Sequence, residues 1–149
     1  MKKTIYIGCD HAALHMKNDI IGHLNDNGYN VEDLGPYTPE SVDYPVYAEK
    51  VGKAVVEDEG SLGILICGTG IGMSLAANKI RGVRAAACSE AYSAKLTRMH
   101  NNANVLCLGA RVIGIETAKM MVDAFVTTDF EGGRHQRRVD MITALEDNK

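Results

Sequence analysis

Residues 62–80 read LGILICGTGIGMSLAANKI. An apolar run of strand length ends at Cys67, glycines at 68, 70 and 72 alternate with Thr69 and Ile71, and a helix-forming stretch follows. Comparable runs recur at 4–9 (TIYIGC), 30–35 (NVEDLG), 83–88 (VRAAAC) and 104–109 (NVLCLG), making five strands. Helical stretches separate them. Leu14, Lys17, Ile21 and Leu24 share one face before Gly28, and Ala48, Val51 and Val55 do so after Pro45, a favoured first-turn residue. Such alternation calls for right-handed crossovers and a parallel sheet covered on both faces, so strands that are apolar throughout are expected. The doubly wound α/β class follows. After the last strand come two more helical stretches, 115–126 and 138–147, joined by a polar segment that contains EGGRHQ (131–136).

At 149 residues the chain has the length of one domain, expected to span 1–149, and can bury roughly two thirds of its unfolded surface. No apolar run approaches the length needed to span a bilayer. The start, MKKTIYIGCD, passes directly into a strand-like run without the extended apolar region of a secretion signal, so a cytoplasmic location is expected. A net charge of −3 gives no general footprint for nucleic acid, although GGRHQRR (132–138) is a local positive cluster. Cys9, Cys67, Cys88 and Cys107 are spread too widely to suggest a zinc pair or a disulfide scaffold, and reduced thiols are expected.

Ligands of open parallel sheets bind beyond the carboxyl ends of the strands. Strand one ends in Cys9, Asp10 and His11, strand three in Cys67 and the glycine loop, and strand four in Cys88, Ser89 and Glu90. The loop lacks the Gly-Lys-Ser/Thr ending of a Walker motif and the third glycine of a dinucleotide fingerprint, although Glu90 stands at a plausible distance for a ribose-binding acid. Its N–H groups and the positive end of the following helix suit an anion, either a phosphate or a developing oxyanion. The same field favours a thiolate at Cys67, as nucleophile or as proton-transferring base. Arg134 and Arg138, four residues apart, share one side of a helix, and their guanidinium forks suit a phosphate. His100 and Asn101 close the fourth helix just before strand five, at the amino edge of the sheet and away from Cys67 within one chain. A second subunit would bring the two groups together.

GCDHA (8–12), DYP (43–45), ICGTGIG (66–72), AANK (76–79), CSEAYSA (88–94), HNNANVL (100–106), GAR (109–111) and EGGRHQRRV (131–139) together make the chain resemble the ribose/galactose phosphate isomerase family, and within it the type B ribose-5-phosphate isomerases, nearly end to end. The resemblance implies a Rossmann-like three-layer fold with a five-stranded parallel sheet in the order 2-1-3-4-5 plus a C-terminal helix. It implies a homodimer whose sites draw on both subunits, remaining a dimer or associating further to a tetramer, and neither cofactor nor metal. The implied activity is interconversion of D-ribose 5-phosphate and D-ribulose 5-phosphate through ring opening and a cis-enediolate. Cys67 would be the base and the backbone of Gly68, Thr69, Gly70, Ile71 and Gly72 its anion hole. The partner subunit's His100 would assist ring opening, with Asp10 and Thr69 near the sugar oxygens. Asn101 would bind near the reacting end, and His11, Arg111, Arg134 and Arg138 would hold the phosphate. One branch of the family uses a glutamate where this chain has Met73, which takes no proton, so Cys67 is the base the loop offers here. The galactose-phosphate relatives lack the histidine matching His100 and the arginine-rich tail. The alternatives are isomerisation of allose 6-phosphate or galactose 6-phosphate, a nucleotide-dependent oxidoreductase, and a non-catalytic sugar-phosphate sensor.

Overall fold

The computed structural model describes residues 2–148. Strands β1 (Thr4–Cys9), β2 (Asn30–Asp33), β3 (Leu62–Cys67), β4 (Ala85–Ala87) and β5 (Val105–Gly109) form one sheet in which every pairing is parallel. Helices α1 (Leu14–Asp26), α2 (Tyr44–Glu57), α3 (Ile71–Ala77) and α4 (Ala91–Asn101) connect the strands, and α5 (Ile115–Thr127) and α6 (Arg134–Ala144) follow β5. The expected α/β class and Rossmann-like layering hold.

The expected strand order, 2-1-3-4-5, is corrected at one edge: the sheet runs β2-β1-β3-β5-β4. β5 lies directly against β3, Gly63 opposite Val105 and Cys67 opposite Gly109. The reason is burial. β5 carries Val105, Leu106, Cys107 and Leu108, all fully buried, whereas β4 is three partly exposed alanines that suit an edge. A central strand must fill the space under helices on both faces, and a run of alanine cannot.

Alternate side chains along the strands supply two cores. Ile5, Ile7, Ile64, Ile66, Leu106 and Leu108 meet α1, α4 and α5 on one face through Ile20, Leu24, Ala94, Met121, Val122 and Phe125. Leu65, Cys67, Val105 and Cys107 meet α2 and α3 on the other through Ala48, Val51, Val55, Met73 and Ala77. No helix among the described residues is long and apolar enough to cross a membrane.

A charge sits inside this frame. Lys17 on α1 is fully buried, with Nζ donating to Asp33 Oδ1 at 2.7 Å and to the Pro36 carbonyl at 2.6 Å. Asp33 also accepts from the Gly35 N–H at 2.9 Å, so one lysine and one carboxylate shape the turn leaving β2. That turn leads to the Val42 N–H, which lies 3.1 Å from His11 Nδ1. Lys17→Met is expected to cost about 3 kcal/mol of stability, the low end for removing one partner of a buried pair, because Asp33 keeps some contact with water. Urea denaturation measures this, and a loss well under 1 kcal/mol would mean that apolar packing alone holds the turn.

Candidate active site

The sheet reverses direction of growth between β1 and β3, which opens a crevice at their carboxyl ends. The chain leaves β1 through Asp10, whose N–H donates to the Ile66 carbonyl at 2.8 Å and whose carboxylate accepts the His11 N–H at 2.7 Å. His11 Nδ1 lies 2.7 Å from the same carboxylate oxygen. A single ring nitrogen cannot donate to Asp10 and accept from Val42 at once, so the protonation of His11 chooses between them.

Beside Asp10, β3 delivers Cys67. The loop that follows folds back over the end of β5: the Ala110 N–H donates to the Cys67 carbonyl at 2.8 Å, and the Arg111 N–H to that of Gly68 at 3.0 Å. Two glycines make this approach possible. Gly70 has φ +83°, and a Cβ there would meet the Cys107 carbonyl oxygen at 3.1 Å; a Cβ on Gly109 would lie 2.7 Å from the Thr69 carbonyl carbon. The resulting turn aims the Gly70 N–H at Cys67 Sγ, 3.1 Å away. Among the described residues no such donor meets the sulfur of the other three cysteines. Burial raises Cys9 to about 12 and Cys88 to about 11, and pushes fully buried Cys107 up further still. All four are free.

Within the loop, the Ile71 N–H turns to Thr69 Oγ1 at 3.3 Å, and Gly72 and Met73, in the first turn of α3, have no intrahelical acceptor. The side chain of Arg111 passes over Gly68, its Cδ 3.6 Å from where a Cβ would stand. Asp10, His11, the Cys67–Gly72 turn and Arg111 therefore share one edge.

His100, Asn101, Arg134 and Arg138 gather elsewhere, at the carboxyl end of α4. Asn102 ends that helix in the left-handed region (φ 48°), and buried Arg98 donates to the carbonyls of Ala103 and Thr128 and to Asn102 Oδ1. These bonds hold the segment after α5 beneath α4, where the Glu131 N–H donates to the Met99 carbonyl at 3.1 Å. Glu131 Oε1 then stands 3.3 Å from His100 Nε2, and the His135 ring stacks on His100 with centroids 4.3 Å apart and planes 16° from parallel. Burial, with His100 and Arg134 nearby, holds His135 below the ordinary imidazole value. Arg134 and Arg138 lie in α6 at the expected four-residue spacing. Arg111, Arg134 and Arg138 form no ion pair among the described residues, so three guanidinium groups have no internal counter-charge.

One possible ligand atom from each of His100, Glu131 and His135 lies within 4.8 Å of the others, a donor set of the kind that binds zinc. Rings this close to parallel have planes that do not meet near their nitrogens, so both lone pairs cannot converge on one ion in this arrangement.

Sequence reading missed three residues. Glu131 enters through the loop between α5 and α6 and His135 through the first turn of α6, and Tyr44, at the start of α2, sets its ring against Gly72, where a Cβ would lie 2.7 Å from the hydroxyl. Glu90, considered there as a ribose-binding acid, is the cap of α4: its carboxylate accepts the Ser93 N–H at 2.8 Å, which holds it below the usual carboxylate range.

The profile of the family described as Ribose/Galactose Isomerase matches residues 5–142. The chain is 52% identical over 147 residues to ribose-5-phosphate isomerase B of Escherichia coli, covering 99% of each. Its fold superposes with a TM-score of 0.95 on ribose-5-phosphate isomerase B of Clostridium thermocellum, 46% identical, covering 97% of this chain and 98% of that one. The TM-score is 0.94 for ribose-5-phosphate isomerase B of Mycoplasma genitalium with bound ribulose 5-phosphate, 45% identical, covering 100% and 99%. With a family profile over most of its length and a relative identical at half its positions, the chain belongs to the ribose/galactose isomerase family.

Proposed function

We propose that the chain interconverts D-ribose 5-phosphate and D-ribulose 5-phosphate without a cofactor, in a site completed by a second copy of itself. The observation that carries the chemistry is the Gly70 N–H on Cys67 Sγ at the floor of a turn built to hold negative charge. Cys67 as thiolate removes the carbon 2 proton of the open-chain aldose, and the electron pair left behind forms the carbon 1–carbon 2 double bond of a cis-enediolate. The carbon 2 hydroxyl proton passes to the carbon 1 oxygen, the carbon 2 carbonyl forms, and proton return at carbon 1 gives the ketose. The Gly72 N–H and its neighbours face the oxygen on which charge develops, an arrangement typically worth about 3 kcal/mol of barrier per donor. Asp10 and Thr69 would meet the sugar hydroxyls.

Two copies are proposed because the second half of the machinery is out of reach within one chain. His100 and Asn101 lie before β5 and Cys67 at the carboxyl end of β3, at opposite edges of a parallel sheet. The helix that begins at the catalytic loop presents Ile71 and Leu75, 56% and 65% exposed, on one face beside that loop, an apolar surface a second copy would cover. In the paired molecule the partner subunit's His100 would assist opening of the furanose ring. Arg134 and Arg138, joined by His11 and Arg111, would hold the phosphate. Binding at that remote end sets the reacting carbons against Cys67.

Incubating the protein with ribose 5-phosphate in D2O tests the reading. Ribulose 5-phosphate should appear with solvent deuterium at carbon 1. Binding without exchange or product would leave a sensor, and turnover confined to allose 6-phosphate or galactose 6-phosphate would move the substrate to six carbons.

A further inference from the structure

We propose that Glu131 is the positioning residue of His100: it fixes the tautomer and ring orientation with which His100 opens the sugar ring. The inference rests on the isomerase reading above. Three observations support it. Glu131 Oε1 stands 3.3 Å from His100 Nε2, and a carboxylate so placed favours a proton on that nitrogen, leaving the Nδ1 lone pair as the ring's free acceptor. The carboxylate is carried on the frame of the same helix end, because the Glu131 N–H donates to the carbonyl of Met99, the residue before His100. His135 closes the other side by stacking on the His100 ring, so the imidazole has a charged stop at its edge and a flat stop on its face.

Ring opening needs a proton taken from the anomeric hydroxyl and one delivered to the ring oxygen. A histidine that samples both tautomers presents the correct nitrogen for only part of the time. Fixing the tautomer therefore affects ring opening and leaves proton transfer at Cys67 untouched. The two steps are separable, because ribulose 5-phosphate carries its phosphate on the hydroxyl that would close a furanose ring and is open-chain already.

The test is Glu131→Ala in the otherwise intact protein, with three readings. Turnover of ribose 5-phosphate should fall about tenfold to a hundredfold, as when other outer partners that orient an imidazole are removed, with little change in KM. Exchange of the carbon 1 protons of ribulose 5-phosphate with D2O should stay within about twofold of the parent, because it needs no ring opening. The 15N spectrum of His100 should pass from one Nε2-protonated tautomer to a mixture, and Glu131→Asp should recover part of both turnover and spectrum. Unchanged turnover in Glu131→Ala, an unchanged His100 tautomer, or equal loss in turnover and exchange would each overturn the proposal. A parent protein inactive on ribose 5-phosphate would overturn the isomerase reading instead.

Discussion

Cys67→Ala should lose about a thousandfold or more in turnover of ribose 5-phosphate, the upper part of the range for a positioned base, while folding as the parent does. The side chain is 6% exposed and small, so its removal opens only a minor gap beside Met73 and Cys107, and the Gly70 N–H it frees can turn to water or substrate. Cys67→Ser keeps the volume and the hydrogen bond but replaces a thiol with a hydroxyl far too weak an acid to ionise, and it should fall nearly as far. A packing role would predict the reverse, with serine close to the parent. Alkylation gives an independent reading. Burial holds Cys9, Cys88 and Cys107 as thiols, so iodoacetamide should modify one cysteine quickly and abolish turnover as it does so. Turnover in Cys67→Ala within tenfold of the parent would place the base elsewhere.

Most of the scaffold that holds Cys67 can be read from the sequence, because it depends on local signals. β1 and β3 fall on the runs expected for them, and the glycine turn sits between a buried strand and a helix where the spacing of Gly68, Gly70 and Gly72 puts it. Lateral strand order is a different kind of information. Whether β4 or β5 lies against β3 depends on which side chains fill the space beneath both helix layers, and a listing of apolar runs weighs VRAAAC and NVLCLG alike. Side-chain volume would have separated them, since leucine and valine occupy the centre and alanine the edge.

The candidate site divides along the same line. Asp10, His11, Cys67 and Arg111 follow strand ends, and the carboxyl-edge rule finds them. The placement of His100 at the other edge is equally a consequence of chain direction in a parallel sheet. Glu131 and His135 escaped because their link to His100 crosses some thirty residues of sequence and depends on Arg98 drawing Thr128 under α4, a contact that no spacing rule encodes. Their one signal is a carboxylate and a histidine on either side of two glycines, where a loop passes into α6.

In the proposed dimer one catalytic site takes Cys67 from one copy and His100 from another. His100→Ala and Cys67→Ala proteins, each nearly inactive alone, should be mixed under conditions where subunits exchange, with exchange verified by mass spectrometry of the mixed species. Random pairing makes half the dimers mixed, and each of these holds one site with both residues intact and one with neither, so turnover should recover to about one quarter of the parent value. Mixed dimers that form and remain as inactive as their parents would contradict the shared site and confine the chemistry to a single chain.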